Sequence, residues 1–483
     1  MTTFVISLVL LVLGFLLYGS FVERKFGADP NRKTPCYTKQ DGVDYMPMPT
    51  WKVFLIQFLN IAGTGPIFGA IQGILFGPAA FFWIVLGCIF GGAVHDYLSG
   101  MISLRKDGVS LPEIIGDELG RKARIIMRVF ILLTLLLVGS VFVKTPSDLL
   151  AIQTEGWGFF GSPTFWYIVV FIYYIIATLL PIDKLIGRIY PVFGLALLIM
   201  AVGVGYGIFT AEGSVPEITD AFTNHHPSSS IPLFPGLFIT IACGAVSGFH
   251  ATQSPMMARC MKNEKLGRPV FYGAMITEGL VALIWAAAAI KFADSLDVEG
   301  TTPYEKLMVA MNGNPAKLVT DICHSWMGQL GGILAILGVV AAPITTGDTA
   351  FRSSRMIAAD FLHYKQNKIY KRLLLAAPLF LLAFVLMFID FDILWRYFGW
   401  VNQTLAVFTL WAVTVWMARQ HRNFFIPLVP ALWMTMVCSS YILISPKEGF
   451  GLLPWIAYLI GGIITLTCLV SFIWWRKGVK TIR

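Results

Sequence analysis

Five side chains able to hold or pass a proton lie in stretches too apolar to carry them lightly: His95, Asp96, His250, Glu278 and Asp348. An ionisable group at membrane depth is costly, so each marks a candidate ion-coupling residue. Glu278 is the most expensive, about nine residues inside its apolar stretch, or roughly 13 Å at the helical rise. A neutral, hydrogen-bonded carboxyl would also survive there. Asp348 precedes Arg352 by four residues, the spacing of a helical ion pair. His250 could grip a carboxylate when charged or carry a proton; a core histidine bonded to a carbonyl is the plain alternative. His95 and Asp96 are helix neighbours pointing about 100° apart, so each needs partners from other helices. This is chemistry of binding and proton transfer. The chain has no H-E-x-x-H, no G-x-S-x-G and no G-x-x-x-x-G-K-[ST], so neither a hydrolase nor an ATP-driven machine is expected.

The residues expected to hold a substrate are small, polar and helix-breaking. Run 60–69 reads NIAGTGPIFG, and run 240–255 reads TIACGAVSGFHATQSP. Glycine and proline at mid-stretch invite the backbone to unwind. An unwound helix exposes amides, and those at a half-helix N-terminus favour an anion. A carboxylate is therefore the expected cargo. Asn60, Gly63, Thr64 and Gly65 would face Ser247, Gly248 and Phe249 across the site, with Phe249 as a gate. Asn402 and Gln403 would add neutral hydrogen bonds to substrate, or bridge helices. A sodium ion is the alternative to a proton. No other cofactor is expected.

These residues need helices to position them, and the composition supplies little else. The chain has 483 residues, 57% hydrophobic and only 13% charged. Its mean hydropathy is +0.73. Soluble domains carry about 25% charge. A soluble enzyme, a disordered chain and a nucleic-acid binder are excluded. Stretches long enough to span a bilayer fall at 3–22, 54–77, 79–104, 125–144, 164–182, 189–210, 234–256, 269–291, 329–355, 372–390, 394–416, 426–445 and 452–475. Of the 36 Lys and Arg, thirty then fall on one side and six on the other. The positive-inside rule places the N-terminus outside and the C-terminus inside. The first stretch lacks a basic leader, so it reads as a retained helix. The seven cysteines show no disulfide or metal spacing and read as packing residues. His225 and His226 read as solvated loop.

The broken stretches are the second and seventh, five apart and of opposite direction, which is the pattern of an inverted-repeat transporter. Residues 341–352 (AAPITTGDTAFR) again concentrate polar and helix-breaking residues.

Segments 60–69, 87–100 (GCIFGGAVHDYLSG), 240–255, 341–352 and 395–405 (WRYFGWVNQTL) resemble those of the carbon starvation protein A (CstA) family. The resemblance covers nearly the whole chain, which looks like a short member. It implies an all-α polytopic membrane protein with a LeuT-type 5+5 core in the amino acid–polyamine–organocation superfamily. Such a core implies an ion site between its first and eighth helices, where sodium would meet the carbonyls near Ala62 and Gly63 and the hydroxyls of Thr345, Thr346 or Thr349, although such hydroxyls often bond the preceding turn. The chain would divide into an extra helix and loop (1–50), a first repeat (51–212), a second repeat (232–418) and two further helices (424–483). It implies uptake of peptides or, in several members, of pyruvate with protons, in the cytoplasmic membrane of a prokaryote during starvation. Nothing in the sequence sets the oligomeric state.

Overall fold

The computed structural model describes residues 1–180, 186–228, 230–366, 368–389 and 391–481. The short loop expected at 183–188 lies partly outside them, since 183–185 are not described. Among the described residues there are helices and connecting loops but no strand. Among the described residues, nine helices are long and apolar enough to cross a membrane, and one bent pair makes a tenth. The expected stretches 164–182, 234–256 and 329–355 do not meet that test among the described residues, being short, broken or polar. The helices used below are α1 (Thr2–Phe26), the bent pair α2 (Thr50–Ala62) and α3 (Gly65–Phe76), α4 (Ala79–Arg105), α5 (Arg121–Gln153), α6 (Pro163–Leu179) and α7 (Ile186–Thr210). There follow α8 (Leu233–Thr240), α9 (His250–Ala258), α10 (Glu264–Ser295), α11 (Ala341–Leu362), α12 (Ile369–Leu386), α13 (Phe391–Arg419), α14 (Phe425–Ile444) and α15 (Pro454–Thr481).

Two of these spans break where the glycines fall. Between α2 and α3 the axis turns by 52°. Gly63 sits there at φ +43°, a backbone state that a side chain resists. Between α8 and α9, residues 241–249 are not helical. The third suspected break does not form. Pro343 is the third residue of α11, just after a π-helical turn at Ile336–Val340, so its missing donor interrupts nothing downstream.

The loops sort by charge. Arg105 bonds Glu264, Lys106 bonds Asp117 and Glu118, and Arg419 bonds Glu118, which gathers the basic loops at one end. At the other end Glu217 holds the first residues of α1, and Asp294 holds Ser214. His225 and His226 lie at that acidic end, but they are half-buried rather than solvated. His225 pairs with Asp220 at 2.8 Å and stacks on Tyr304, because its turn packs over the end of α3.

Candidate functional site

The ionisable groups converge. Asp96 of α4, His250 at the start of α9 and Glu278 of α10 are all fully buried. Asp96 Oδ2 lies 2.9 Å from His250 Nδ1, and Asp96 Oδ1 lies 2.7 Å from His95 Nδ1. The His95 ring thus folds back onto its neighbour's carboxylate, although the two side chains leave the helix in different directions. A carboxylate only accepts, so both imidazoles must carry their proton on Nδ1. His250 Nε2 then faces Glu278 Oε2 at 3.5 Å. A lone pair opposite a carboxylate repels it. A proton on either the imidazole or the carboxyl would turn that repulsion into attraction, so this edge is where the cluster could hold one.

Cys243 completes the arrangement, and sequence reasoning had missed it. Its thiol, His250 and Glu278 offer atoms within 4.8 Å of one another. Cys243 also lines a cavity of about 140 Å³ with Gly65, Gly69, Gln72 and Thr240. A side chain at Gly65 would run into Cys243. The cavity therefore touches both helix breaks and ends one side chain short of the buried cluster.

The unwound strand 241–249 is held largely by α13. Asn402 Oδ1 accepts from the Phe249 amide at 2.7 Å, and its Nδ2 reaches Ser247 Oγ at 3.0 Å. A Cβ on Gly248 would strike the backbone of Asn402 and Ala406. Ser247, Gly248 and Phe249 are thus brought to the break but engaged by a neighbouring helix. Phe249 is buried in a cluster with Phe142 and Phe398. On the other half, Gln57, Asn60 and Thr64 are buried, and their side-chain polar atoms have no hydrogen-bond partner among the described residues. Gln403 is likewise buried and unpartnered.

The hydroxyls of α11 mostly bond their own helix. Thr345 reaches Ala342 O at 2.8 Å, and Thr349 reaches Thr345 O and Thr346 O at 3.1 Å. Thr346 alone crosses to α2, reaching Leu59 O at 3.2 Å. It stands against Gly63, one residue beyond Ala62. Asp348 is not paired with Arg352. Its Oδ2 lies 2.7 Å from the Tyr190 hydroxyl of α7, while Arg352 turns to Asp44 and to the carbonyls of Ala177 and Leu180.

A helical core interrupted at two facing breaks, with a small cavity and a buried cluster of ionisable side chains beside them, is the architecture of a LeuT-type fold. The solved structure of MhsT in complex with L-phenylalanine has that fold. It is similar at a TM-score of 0.53 and 15% identity, over 87% of this chain and 98% of that one. The chain belongs to the carbon starvation protein CstA family, whose model matches residues 1–162, 152–300 and 295–440. It is 44% identical to a Haemophilus influenzae uncharacterized membrane protein, over 60% of this chain and 91% of that one. It is 26% identical to the Escherichia coli peptide transporter CstA, over 90% of this chain and 79% of that one. It is 27% identical to the E. coli pyruvate/proton symporter BtsT, over 64% of this chain and 51% of that one. The chain is a multi-pass membrane protein of a prokaryote.

Proposed function

We propose that this chain is a secondary transporter, not an enzyme, that imports a small carboxylate of the pyruvate type or a short peptide by proton symport. All thirteen helical stretches cross the cytoplasmic membrane in this reading, with the N-terminus outside and the basic end inside. The observation that carries it is the contact chain from the cavity to the cluster: cavity, Cys243, then His250 and Glu278, then Asp96. Cargo enters from the acidic end and binds between Gly63–Gly65 and the unwound strand. Gln57, Asn60 and Thr64 offer the unused hydrogen-bonding capacity. The proton on the His250–Glu278 edge shares that strand with the cargo, so its arrival and the cargo's arrival bias the same element. The relatives named as peptide transporters and as a pyruvate/proton symporter support both cargo classes.

A sodium-coupled symporter is the second reading, because Thr346 bridges α11 to the carbonyl end of α2 beside Ala62 and Gly63. One experiment separates the two. Uptake of labelled pyruvate, and separately of a dipeptide, is measured in proteoliposomes with a pH gradient or a sodium gradient imposed alone. Uptake of either cargo under the pH gradient only is the expected result. Uptake driven by sodium only would replace the proton reading. No uptake of either cargo under any gradient would remove the function proposed here. Gly65→Val, which pushes a branched side chain into Cys243, should abolish uptake while the protein still folds.

A further inference from the structure

A second buried cluster lies away from the breaks, at the basic end. Arg259, Arg352, Arg355 and Arg372 are each at most 5% exposed. Among the described residues, the carboxylates paired with them are Asp44 and Asp360. Asp360 is 4.0 Å from Arg259. Asp44 lies 3.4 Å from Arg352 and 3.6 Å from Arg355. Arginine and carboxylate normally meet through two parallel bonds of about 2.7–2.9 Å. Asp44 falls short of that on both partners. Arg352 also bonds the carbonyls of Ala177 and Leu180, at 2.6 and 2.9 Å. Arg355 has no hydrogen bond at any of its three nitrogens among the described residues. It presents a buried fork of donors whose anion is present but poorly seated.

The two sides of this pairing are mounted differently. Arg352 and Arg355 are on α11, the helix that also carries Thr346 to the α2 break. They are six and nine residues further along, or roughly 9 and 13 Å toward the basic end. Asp44 is on the loop between α1 and α2. Its turn is folded on itself, with Asp41 Oδ1 accepting from the amides of Val43, Asp44 and Tyr45 at 2.8, 2.9 and 2.9 Å. Side-chain contacts tie it to its surroundings: the Tyr45 hydroxyl donates to Asp107 O at 3.1 Å, the Cys260 thiol to Asp44 O at 3.8 Å, and Arg259 lies over the Tyr45 ring. That turn can withdraw as a unit without breaking a helix.

We propose that Arg352 and Arg355 form a second, carboxylate-specific anion site on the exit route, which Asp44 fills as an internal substitute until a cargo carboxylate displaces it. The proposal rests on the reading above that the cargo carries a carboxylate and leaves by the basic end. It adds a second station, where release requires one carboxylate to exchange for another.

The test reads the loop, not uptake. Six of the seven cysteines are buried, and Cys468 is replaced by serine. A nitroxide is placed at Gln40→Cys, an exposed position beside the turn. Propionate and propionamide are the probes, equal in size and differing by one charge. Propionate should at least double the mobile fraction of the label in the purified full-length protein, and propionamide should leave it unchanged. Arg355→Lys keeps the charge but loses the planar fork, so it should weaken the propionate response severalfold. Asp44→Asn should free the label without any added carboxylate. Equal responses to both probes, no response to propionate, or a full response in Arg355→Lys would each overturn the proposal. If uptake of both pyruvate and the dipeptide fails while the label responds, the transport reading falls and the anion site stands. If uptake succeeds and the label is silent, only the anion site falls.

Discussion

The two buried charge clusters differ in what balances them. Beside the helix breaks, Asp96, His95, His250 and Glu278 come from helices or helix ends and face one another, with a single loose edge of 3.5 Å between His250 and Glu278. At the basic end, four arginines come from or next to helices, and the carboxylate nearest two of them comes from a loop. The first cluster can change state by moving one proton. The second can change state only by moving a piece of chain or admitting another anion. A transporter needs both kinds of element, since the coupling ion must be small and the gate must be large.

The largest effect should come from breaking the first cluster. His250→Ala leaves Asp96 bonded to His95 but strands Glu278 without its imidazole. Loss of one partner of a buried pair costs about 3–5 kcal/mol of stability, and with no imidazole facing Glu278 the pH-driven part of uptake should disappear, read as equal uptake with and without the pH gradient. Glu278→Gln should be more selective. It keeps the shape and removes the proton, so exchange of cargo across a membrane without a gradient should persist while driven uptake disappears. Loss of both activities in Glu278→Gln would show that the edge is structural.

The next effect belongs to the second cluster. Asp44→Ala removes the carboxylate nearest Arg352 and Arg355 and should destabilise the protein by about 3 kcal/mol, read as lower resistance to denaturant in a fixed detergent. Burial pushes the Asp44 carboxyl upward, but Arg355, Arg352, Arg259 and Arg372 outweigh it and hold it below the usual carboxylate value. A lowered group contributes stability above its unfolded value, near 4, and loses it as pH falls through the folded one. The gap between wild type and Asp44→Asn should therefore stay constant from pH 7 to about 5 and close only below about pH 4. A gap that narrows already at pH 6 would mean that Asp44 is not held by those arginines.

The contrast also explains what the sequence could tell. Asp96 and Glu278 stood out because apolar surroundings make any charge expensive, and the two helix breaks stood out because glycine and proline gather there. Their convergence was hidden, since α4, α9 and α10 meet only through tertiary packing. Cys243 was hidden for a different reason: one thiol in an apolar run looks like a packing residue until a cavity is found beside it. The arginine cluster was invisible because Arg352, Arg355 and Arg372 satisfy the positive-inside rule at face value, and Asp44 sits in a loop where a carboxylate needs no explanation. Asp348 misled in the opposite sense. Its spacing to Arg352 permitted a helical pair, but Tyr190 on α7 offered a closer donor and Asp44 drew the arginine away.

The smallest effect tests whether α13 merely braces the unwound strand. Asn402 accepts from the Phe249 amide and reaches Ser247, so it supplies what a helix would have supplied there. Asn402→Ala leaves that amide buried without a partner, a loss of about 1–3 kcal/mol. If Asn402 is only a brace, the segment loosens and the protein loses stability, while the half-saturating cargo concentration holds. If Asn402 also touches cargo, adding a carboxylate substrate should restore less stability to the variant than to the wild type. Comparing thermal stabilisation by pyruvate in the two proteins separates the cases. The brace alone leaves the ligand-induced increment unchanged, because the amide it satisfies is already turned away from the cavity and toward α13.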